Sequence, residues 1–297
     1  MSDNCRVSEA LYVGLCRYIG TPTELTVRRE VVDICEMMNK PVQICKGIIH
    51  MVSGSYREGF RFYESSDLDI MYWPVNHEVL TDLSQSSVNA LPGHSNILME
   101  DTDTPPGFVR LRPLLSLGFH CIAKAVVSLG DRLYISSSRW RKIGMTVMSD
   151  LKTFHTITNH GPCATGFIGD VEHDIALCFH CHHWSRLTCY WSKRCTLHNW
   201  PPNHVFDDIL RNGCHIVSVG SKMAAAENEL EWRLSFSHAE QKLVYAMNHT
   251  QFLCYGLLKI FLKEVINHTV EEPFLFIFCE DNDVLVNTNR TYNLVSK

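Results

Sequence analysis

The chain has 297 residues, of which 45% are hydrophobic and 20% charged, and its formal net charge is −5. This composition excludes a disordered or fibrous chain, and the length allows a large core divided between two lobes. The acidic balance excludes a globally basic nucleic-acid binder, so any nucleic-acid site must be local.

The sequence predicts neither a signal peptide nor a membrane span. Its first residues lack an apolar signal core, and nowhere do about 18 apolar residues run together. Thirteen cysteines are scattered along the chain, which is typical of free thiols in a reducing compartment. We therefore expect a cytoplasmic protein that has no membrane partner.

Apolar residues at helical spacing predict two helices at the amino terminus, over 8–18 and over 24–51. The turn between them is predicted at Gly20-Thr21-Pro22. Pro41 predicts a kink or an interruption in the second helix.

A turn of small residues follows at Gly54-Ser55. Glycine allows backbone N–H groups to approach a ligand closely, and a serine hydroxyl can donate to a phosphate oxygen. This pair is therefore a candidate phosphate-binding turn.

The next strand carries Asp67 and Asp69, separated by Leu68. Residues i and i+2 of a strand share a face, so the two carboxylates lie side by side. They repel one another and raise each other's proton affinity, which favours a hard divalent cation such as Mg²⁺ as partner. The alternative is a surface hairpin whose aspartates are merely solvated.

The middle of the chain is predicted from short patterns. Residues 84–107 are rich in turn residues and predict a loop that contains one strand, over 96–100. A strand near 78–80 precedes this loop, and a helix over 134–148 follows it.

A basic cluster, Arg139, Arg141 and Lys142, lies on this last helix. It is either a solvated helix face or a local contact for a phosphate backbone.

An apolar strand is predicted over 172–181, after a loop over 158–170. Asp174 near its start is a candidate third metal carboxylate, and the alternative is an aspartate that makes a turn hydrogen bond. Several cysteines and histidines near this strand invite a zinc interpretation, but Cys178 and Cys181 lie on opposite strand faces. The cluster comprises Cys178, His180, Cys181, His182, His183, Cys189, Cys195 and His198.

The last third predicts alternating short elements. Ser237 followed by Glu240 three residues later matches a capping box and predicts a helix start. Lys259 and Lys263 share one face of a helix predicted over 251–266. The other predicted elements are a helix over 206–211, a strand over 213–218 and an apolar run over 274–278, before a carboxyl-terminal stretch, 282–297, with little pattern.

Over about residues 25–266, the chain resembles the Mab-twenty-one-like family, which includes cyclic GMP-AMP synthase and the animal synthase-like receptors. Five features occur in the order found in that family. They are Gly54-Ser55, Asp67-x-Asp69, the Asp174 strand running into Cys181 and Trp184, Trp200-Pro201, and Trp232-Arg233-Leu234-Ser235-Phe236-Ser237-x-x-Glu240.

The resemblance implies an α/β (α+β) fold of two lobes, with the active site between them. Residues 1–215 would form a nucleotidyltransferase core with a twisted mixed sheet and a long amino-terminal helix. Residues 216–297 would form a shortened helical lobe, because 270–297 do not resemble the family's last helices. The family's cysteine-rich zinc insertion is also missing after the Glu240 helix.

The resemblance further implies roles for individual residues. Asp67, Asp69 and Asp174 match the catalytic, metal-binding triad for Mg²⁺ or Mn²⁺, and Gly54 and Ser55 match the triphosphate-holding turn. Four residues match positions near the nucleotide base and phosphates, and Lys259 matches a phosphate-contacting lysine. The four are Arg233, Ser235, Ser237 and Glu240.

Three functions follow as hypotheses. The first is a metal-dependent nucleotidyltransferase that joins nucleoside triphosphates, ATP and GTP, into a cyclic or linear dinucleotide, with double-stranded RNA as a candidate activator. The second is a catalytically silent protein that keeps the fold in order to bind a nucleotide or a partner. The third is a template-copying or RNA-tailing transferase, which would extend a primer.

Overall fold

The computed structural model describes residues 3–60, 67–85, 94–114, 120–150, 155–160, 163–183, 189–221, 229–262, 275–278 and 284–287. The helices are α1 (Asp3–Ile19), α2 (Pro22–Cys45), α3 (Gly54–Glu58), α4 (His120–Ala125), α5 (Ser137–Asp150), α6 (Cys189–His198), α7 (Asn203–Asn212), α8 (Ser237–Ala246) and α9 (His249–Phe261). The strands are β1 (Ile48–Val52), β2 (Leu68–Pro74), β3 (His77–Leu80), β4 (Ser95–Glu100), β5 (Phe108–Pro113), β6 (Val126–Leu129), β7 (Arg132–Ile135), β8 (His155–His160), β9 (Cys163–Ile168), β10 (Val171–Cys181), β11 (Cys214–Val217), β12 (Glu231–Ser235), β13 (Leu275–Phe278) and β14 (Val284–Asn287).

A mixed sheet of ten strands lies at the centre of the fold, in the order β1-β2-β10-β11-β12-β5-β4-β3, with β9 and β8 branching from β10. Strand β10 pairs in parallel with β2 and antiparallel with β9 and β11. The predicted mixed α+β fold class is therefore confirmed. Strand β12 pairs with β11 and β5, and the division into lobes at residue 215 stays a prediction.

The main core cluster covers one face of this sheet. Alternate residues of β10 and β12, such as Phe179, Trp232 and Leu234, pack there against Trp140 of α5. The residues between them in sequence, including Asp174 and Arg233, therefore project from the other face. A second cluster joins Ile19, Phe60 and Phe252, and it holds α9 against the amino-terminal helices.

The amino-terminal helices differ in detail from the prediction. Helix α2 continues through Pro41 without interruption, and it ends at Cys45 rather than at residue 51. Gly47, with φ 77°, follows that end, and Ile48–Val52 is a strand that pairs antiparallel with β2. The short apolar run was predicted as helix because periodicity alone does not separate a buried strand from a helix segment.

Two further predictions are wrong. Residues 158–170 contain strands β8 and β9 rather than a loop, because pairing with β10 outweighs a composition rich in turn residues. The capping box at Ser237 is absent: Phe236 occupies the N-cap, and the Ser237 hydroxyl pairs with the Ser235 hydroxyl instead, at 2.9 Å.

Most of the other elements agree with the prediction. Strands β3, β4, β10 and β11 and helices α7 and α9 lie within a few residues of their predicted places. Helix α5 begins at Ser137, after the strand β7, rather than at residue 134. Part of the predicted carboxyl-terminal helix, including Lys263, lies outside the described residues. Within the described ranges, no helix has the length and apolar character needed to cross a membrane.

Candidate active site

Strand pairing places two of the predicted carboxylates side by side. In the parallel pair of β2 and β10, Asp69 is the direct partner of Asp174. Asp67 lies just before β2 and is exposed. The side chains of Asp69 and Asp174 share the sheet face opposite the main core, so the fold brings together residues that are far apart in sequence.

Charge is concentrated at this point of the sheet. Burial, followed by the charges of Asp67 and Asp174, raises the pKa of Asp69 to about 7, while Lys259 opposes the shift. Mutually repelling oxygen ligands of this kind suit a hard divalent cation. The side chains do not converge on an ion in their present positions: among the described residues, no three His, Cys, Asp or Glu side chains form a group that could hold a metal.

Strand β9 supplies two residues that the sequence analysis missed. The Thr165 hydroxyl donates a hydrogen bond to the Asp174 carboxylate. Burial, together with the charges of Asp174 and Asp69, raises the pKa of Cys163 to about 12, so this thiol stays protonated beside the carboxylates. The sequence signal for β9 is the short run Cys163–Ile168, in which Thr165 and Gly166 lie between two pairs of apolar residues.

Gly54 and Ser55 begin the short helix α3 directly behind Asp69. Gly54 has φ +67°, and a Cβ added to it would lie 2.0 Å from Oδ2 of Asp69. The preceding Ser53 N–H donates to the Asp69 carbonyl oxygen at 2.8 Å. A side chain at position 54 would therefore displace the aspartate, which explains the need for glycine here.

Lys259 of α9 reaches this turn from the far end of the sequence. Its Nζ donates to Ser55 Oγ at 3.0 Å, and it forms an ion pair with Glu58. The Tyr255 hydroxyl donates to Glu58 at 3.1 Å. The structure thus joins the predicted Ser55 and Lys259, and it adds Glu58 and Tyr255, for which the sequence carried no motif.

The remaining predicted residues occupy β12 and the start of α8. Arg233 and Ser235 share the sheet face of Asp174, two strands away in the order β10-β11-β12. Arg233 is close enough to Cys163 for its charge to lower the pKa of that thiol against the effect of burial. Glu240, in the first turn of α8, adds to the rise in the pKa of Tyr255, which burial and Glu58 dominate.

The basic cluster on α5 is partly engaged with the protein itself. Arg139 donates to the Val126 carbonyl at 3.3 Å, and Arg141 donates to the Ser218 carbonyl at 3.2 Å, whereas Lys142 is exposed. Two of the three cations therefore contribute hydrogen bonds to the fold.

The two cysteines of β10 that belong to the zinc hypothesis separate onto opposite faces of the sheet. Cys178 donates to the Tyr72 carbonyl on one face of the sheet, and Cys181 packs in the main core on the other. His180 and His182 belong instead to a cavity of about 470 Å³, which lies between α2 and the sheet and is lined by six histidines. Its lining residues do not include the predicted site residues.

These buried histidines predict a loss of stability in acid. Burial lowers the pKa of His77 to about 3 and of His180 and His238 to about 4, and it places that of His215 well below its ordinary value. In the unfolded chain each pKa is about 6.5. Because the unfolded state binds more protons below pH 6.5, the stabilisation is complete above that pH and is lost as the pH falls toward about 4.

We expect the free energy of unfolding to fall by roughly several kcal/mol between pH 6.5 and pH 4.5. Urea titration followed by circular dichroism measures it. His215→Phe is the matched variant, because neither ring nitrogen of His215 has a hydrogen-bond partner in the structure. It should flatten the pH dependence without costing stability at pH 7.5. An equally steep pH dependence in this variant would contradict the assignment to His215.

Comparison with known proteins gives one family. Residues 155–246 match the family model described as the Mab-21 protein nucleotidyltransferase domain. The matched segment runs from β8 to α8 and contains Asp174, whereas Asp69, Ser55 and Lys259 lie outside it. No curated protein matches the chain at the significance required. The resemblance inferred from the sequence is thus confirmed by a match over this segment.

Proposed function

We propose that this chain, which carries a Mab-21 nucleotidyltransferase domain match over residues 155–246, is a metal-dependent nucleotidyltransferase that joins nucleoside triphosphates such as ATP and GTP. The observation that carries the proposal is the direct pairing of Asp69 with Asp174 on neighbouring parallel strands. The finer parts of the proposal are a cyclic dinucleotide product, activation by double-stranded RNA and a cytoplasmic location.

Asp67, Asp69 and Asp174 would hold Mg²⁺ or Mn²⁺, because carboxylate oxygens are the ligands that these ions prefer. When bound, such an ion lowers the pKa of an attacking ribose hydroxyl and offsets the charge of the leaving pyrophosphate. Thr165 supports this role, since its hydroxyl donates to Asp174 and orients that carboxylate.

Ser55 and Lys259 would hold the triphosphate. The Ser55 hydroxyl accepts a hydrogen bond from Lys259 at 3.0 Å, so its own proton remains available to a phosphate oxygen. Lys259 adds a positive charge beside the carboxylates, where a polyphosphate needs one. Gly54 keeps the turn close to Asp69.

Two observations favour the alternative, a catalytically silent protein that binds a nucleotide or a partner. Among the described side chains none form a three-ligand metal group, and Lys259 is already paired with Glu58. Such a protein would bind triphosphate without turning it over.

The test is product analysis with the purified full chain and radiolabelled triphosphates, in Mg²⁺ or Mn²⁺, with and without long double-stranded RNA. We expect a phosphatase-resistant dinucleotide that disappears when the metal is chelated. A parallel reaction that contains an RNA primer distinguishes a dinucleotide synthase from an RNA-tailing transferase, because the tailing enzyme would lengthen the primer.

No product under any of these conditions, from a folded chain, would contradict the enzyme. Calorimetric titration with a triphosphate would then identify the silent binding protein.

A further inference from the structure

Helix α2 turns most of its large apolar residues toward solvent, and the side that faces the protein carries polar residues together with the buried Leu25 and Val32. On the inner side, Arg29 donates to the Glu58 carbonyl at 2.9 Å and Glu36 accepts from the Val52 N–H at 2.6 Å. The outer side exposes a set of large apolar residues, each half exposed or nearly so, with Met38 at 71%. They are Val27, Val31, Ile34, Met37, Met38, Val42 and Ile44.

This orientation is the reverse of an ordinary surface helix, whose apolar stripe faces the core. At 3.6 residues per turn, the exposed apolar residues cover roughly half of the helix circumference. Glu24 and Glu30 are the charged side chains within that half. Exposed apolar surface of this extent marks an interaction site.

The spacing within the face is that of a coiled coil. We define the α2 seam as Val27, Val31, Ile34, Met38, Pro41 and Cys45, whose successive separations alternate between four and three residues. Such a seam packs against another helix with the same spacing. The series of separations reads the same in both directions, so a second α2, running antiparallel, would match it in register.

We propose that α2 of one copy pairs antiparallel with α2 of a second copy across the α2 seam, forming a two-fold symmetric dimer. In that pairing Ile34 of one copy lies opposite Met38 of the other, and Val27 lies opposite Cys45. A two-fold interface requires such a self-complementary surface. The proposal is independent of the nucleotidyltransferase proposal, because the seam contains none of the candidate site residues.

The available area is close to what a dimer needs. Helix α2 has 24 residues, so it is about 36 Å long and about 11 Å across, and half of its lateral surface is on the order of 600 Å². A standard interface buries about 800 Å² per partner, including a polar rim.

The chemistry favours a protein partner over a membrane. A helix that lies on a membrane carries lysine and arginine on its polar side and aromatic residues on its apolar side. The apolar face of α2 is built of valine, isoleucine and methionine, its arginines Arg28 and Arg29 are bonded to the protein's own carbonyls, and the chain has a net charge of −5.

The test is analytical ultracentrifugation of the full chain over a range of concentrations. We expect a concentration-dependent species of twice the chain mass, and Met38→Glu should raise its dissociation constant at least tenfold. Asn39→Glu is the matched control, because it adds the same charge at the neighbouring exposed position, away from the seam. It should leave the dimer intact.

A chain that stays monomeric at every concentration would overturn the proposal. The apolar face of α2 would then be covered by the chain's own carboxyl-terminal residues or by a lipid surface. A dimer equally insensitive to both variants would place the interface elsewhere and overturn it too. Cross-linking tests the direction. In a background in which the exposed Cys5, Cys35, Cys45 and Cys254 are replaced by serine, Ile34→Cys with Met38→Cys should form an intermolecular disulfide under mild oxidant. Self-cross-linking of Met38→Cys alone would overturn the antiparallel register.

Discussion

Replacing Asp69 by asparagine should lower the rate of nucleotide transfer by three orders of magnitude or more, equivalent to about 4 kcal/mol of transition-state stabilisation. Asparagine keeps the shape of the side chain but cannot supply a second charged oxygen to a cation. The measurement is the initial rate of product formation with labelled triphosphates in Mn²⁺, at several metal concentrations.

Stability distinguishes this loss from misfolding. Burial and the negative charges of Asp67 and Asp174 raise the pKa of Asp69 to about 7. Because Asp69→Asn removes this repulsion, the free energy of unfolding should stay equal or rise. Asp131→Asn, in the exposed turn between β6 and β7, is the control and should keep full activity. If the Asp69→Asn variant forms product at an undiminished rate, the Asp69 carboxylate takes no part in the mechanism.

Replacing Trp232 by alanine should cost about 3–5 kcal/mol of unfolding free energy, the range for deleting a large buried aromatic side chain. Trp232 is fully buried and its ring centroid lies 5.3 Å from that of Phe179. Its indole N–H also donates to the Ile135 carbonyl at 2.8 Å, which ties β12 to the end of β7. Urea unfolding followed by far-ultraviolet circular dichroism measures the loss.

Trp232→Phe separates the two contributions. It keeps an aromatic ring but leaves the Ile135 carbonyl without its donor, which should cost about 1–3 kcal/mol. An alanine variant that loses less than about 1 kcal/mol would show that the core around β12 collapses to fill the space.

The candidate site was predictable where its signal was local. Simple alternation placed Asp69 on one face of a strand, although Asp67 lies just before β2 rather than within it. Asp174 follows from the resemblance together with a clear apolar strand. Thr165 was not predictable, because β9 exists through its pairing with β10 and its own composition favours a turn. The contact between Lys259 and Ser55 spans 204 residues, and no sequence period reports such a contact.

The fold was predictable in class and less so at element ends. The helix-spaced residues from Val31 to Val42 predicted the helix α2, but apart from the buried Val32 its large apolar residues face solvent rather than the core. Periodicity identifies an apolar face without saying what covers it. The capping pattern at Ser237 failed because the hydroxyl had a nearer partner in Ser235.

The parallel pairing of β2 with β10 also has a consequence for synthesis of the chain. The hydrogen bond from Cys178 to Tyr72 joins residues 106 positions apart, so at about 5–20 residues per second the ribosome needs between about 5 and 20 s to supply β10 after β2. During that interval β2 is an open edge that could pair with another nascent chain. The negative charges of Asp67 and Asp69 at the start of β2 then oppose its pairing with other chains, before β10 is available as a partner.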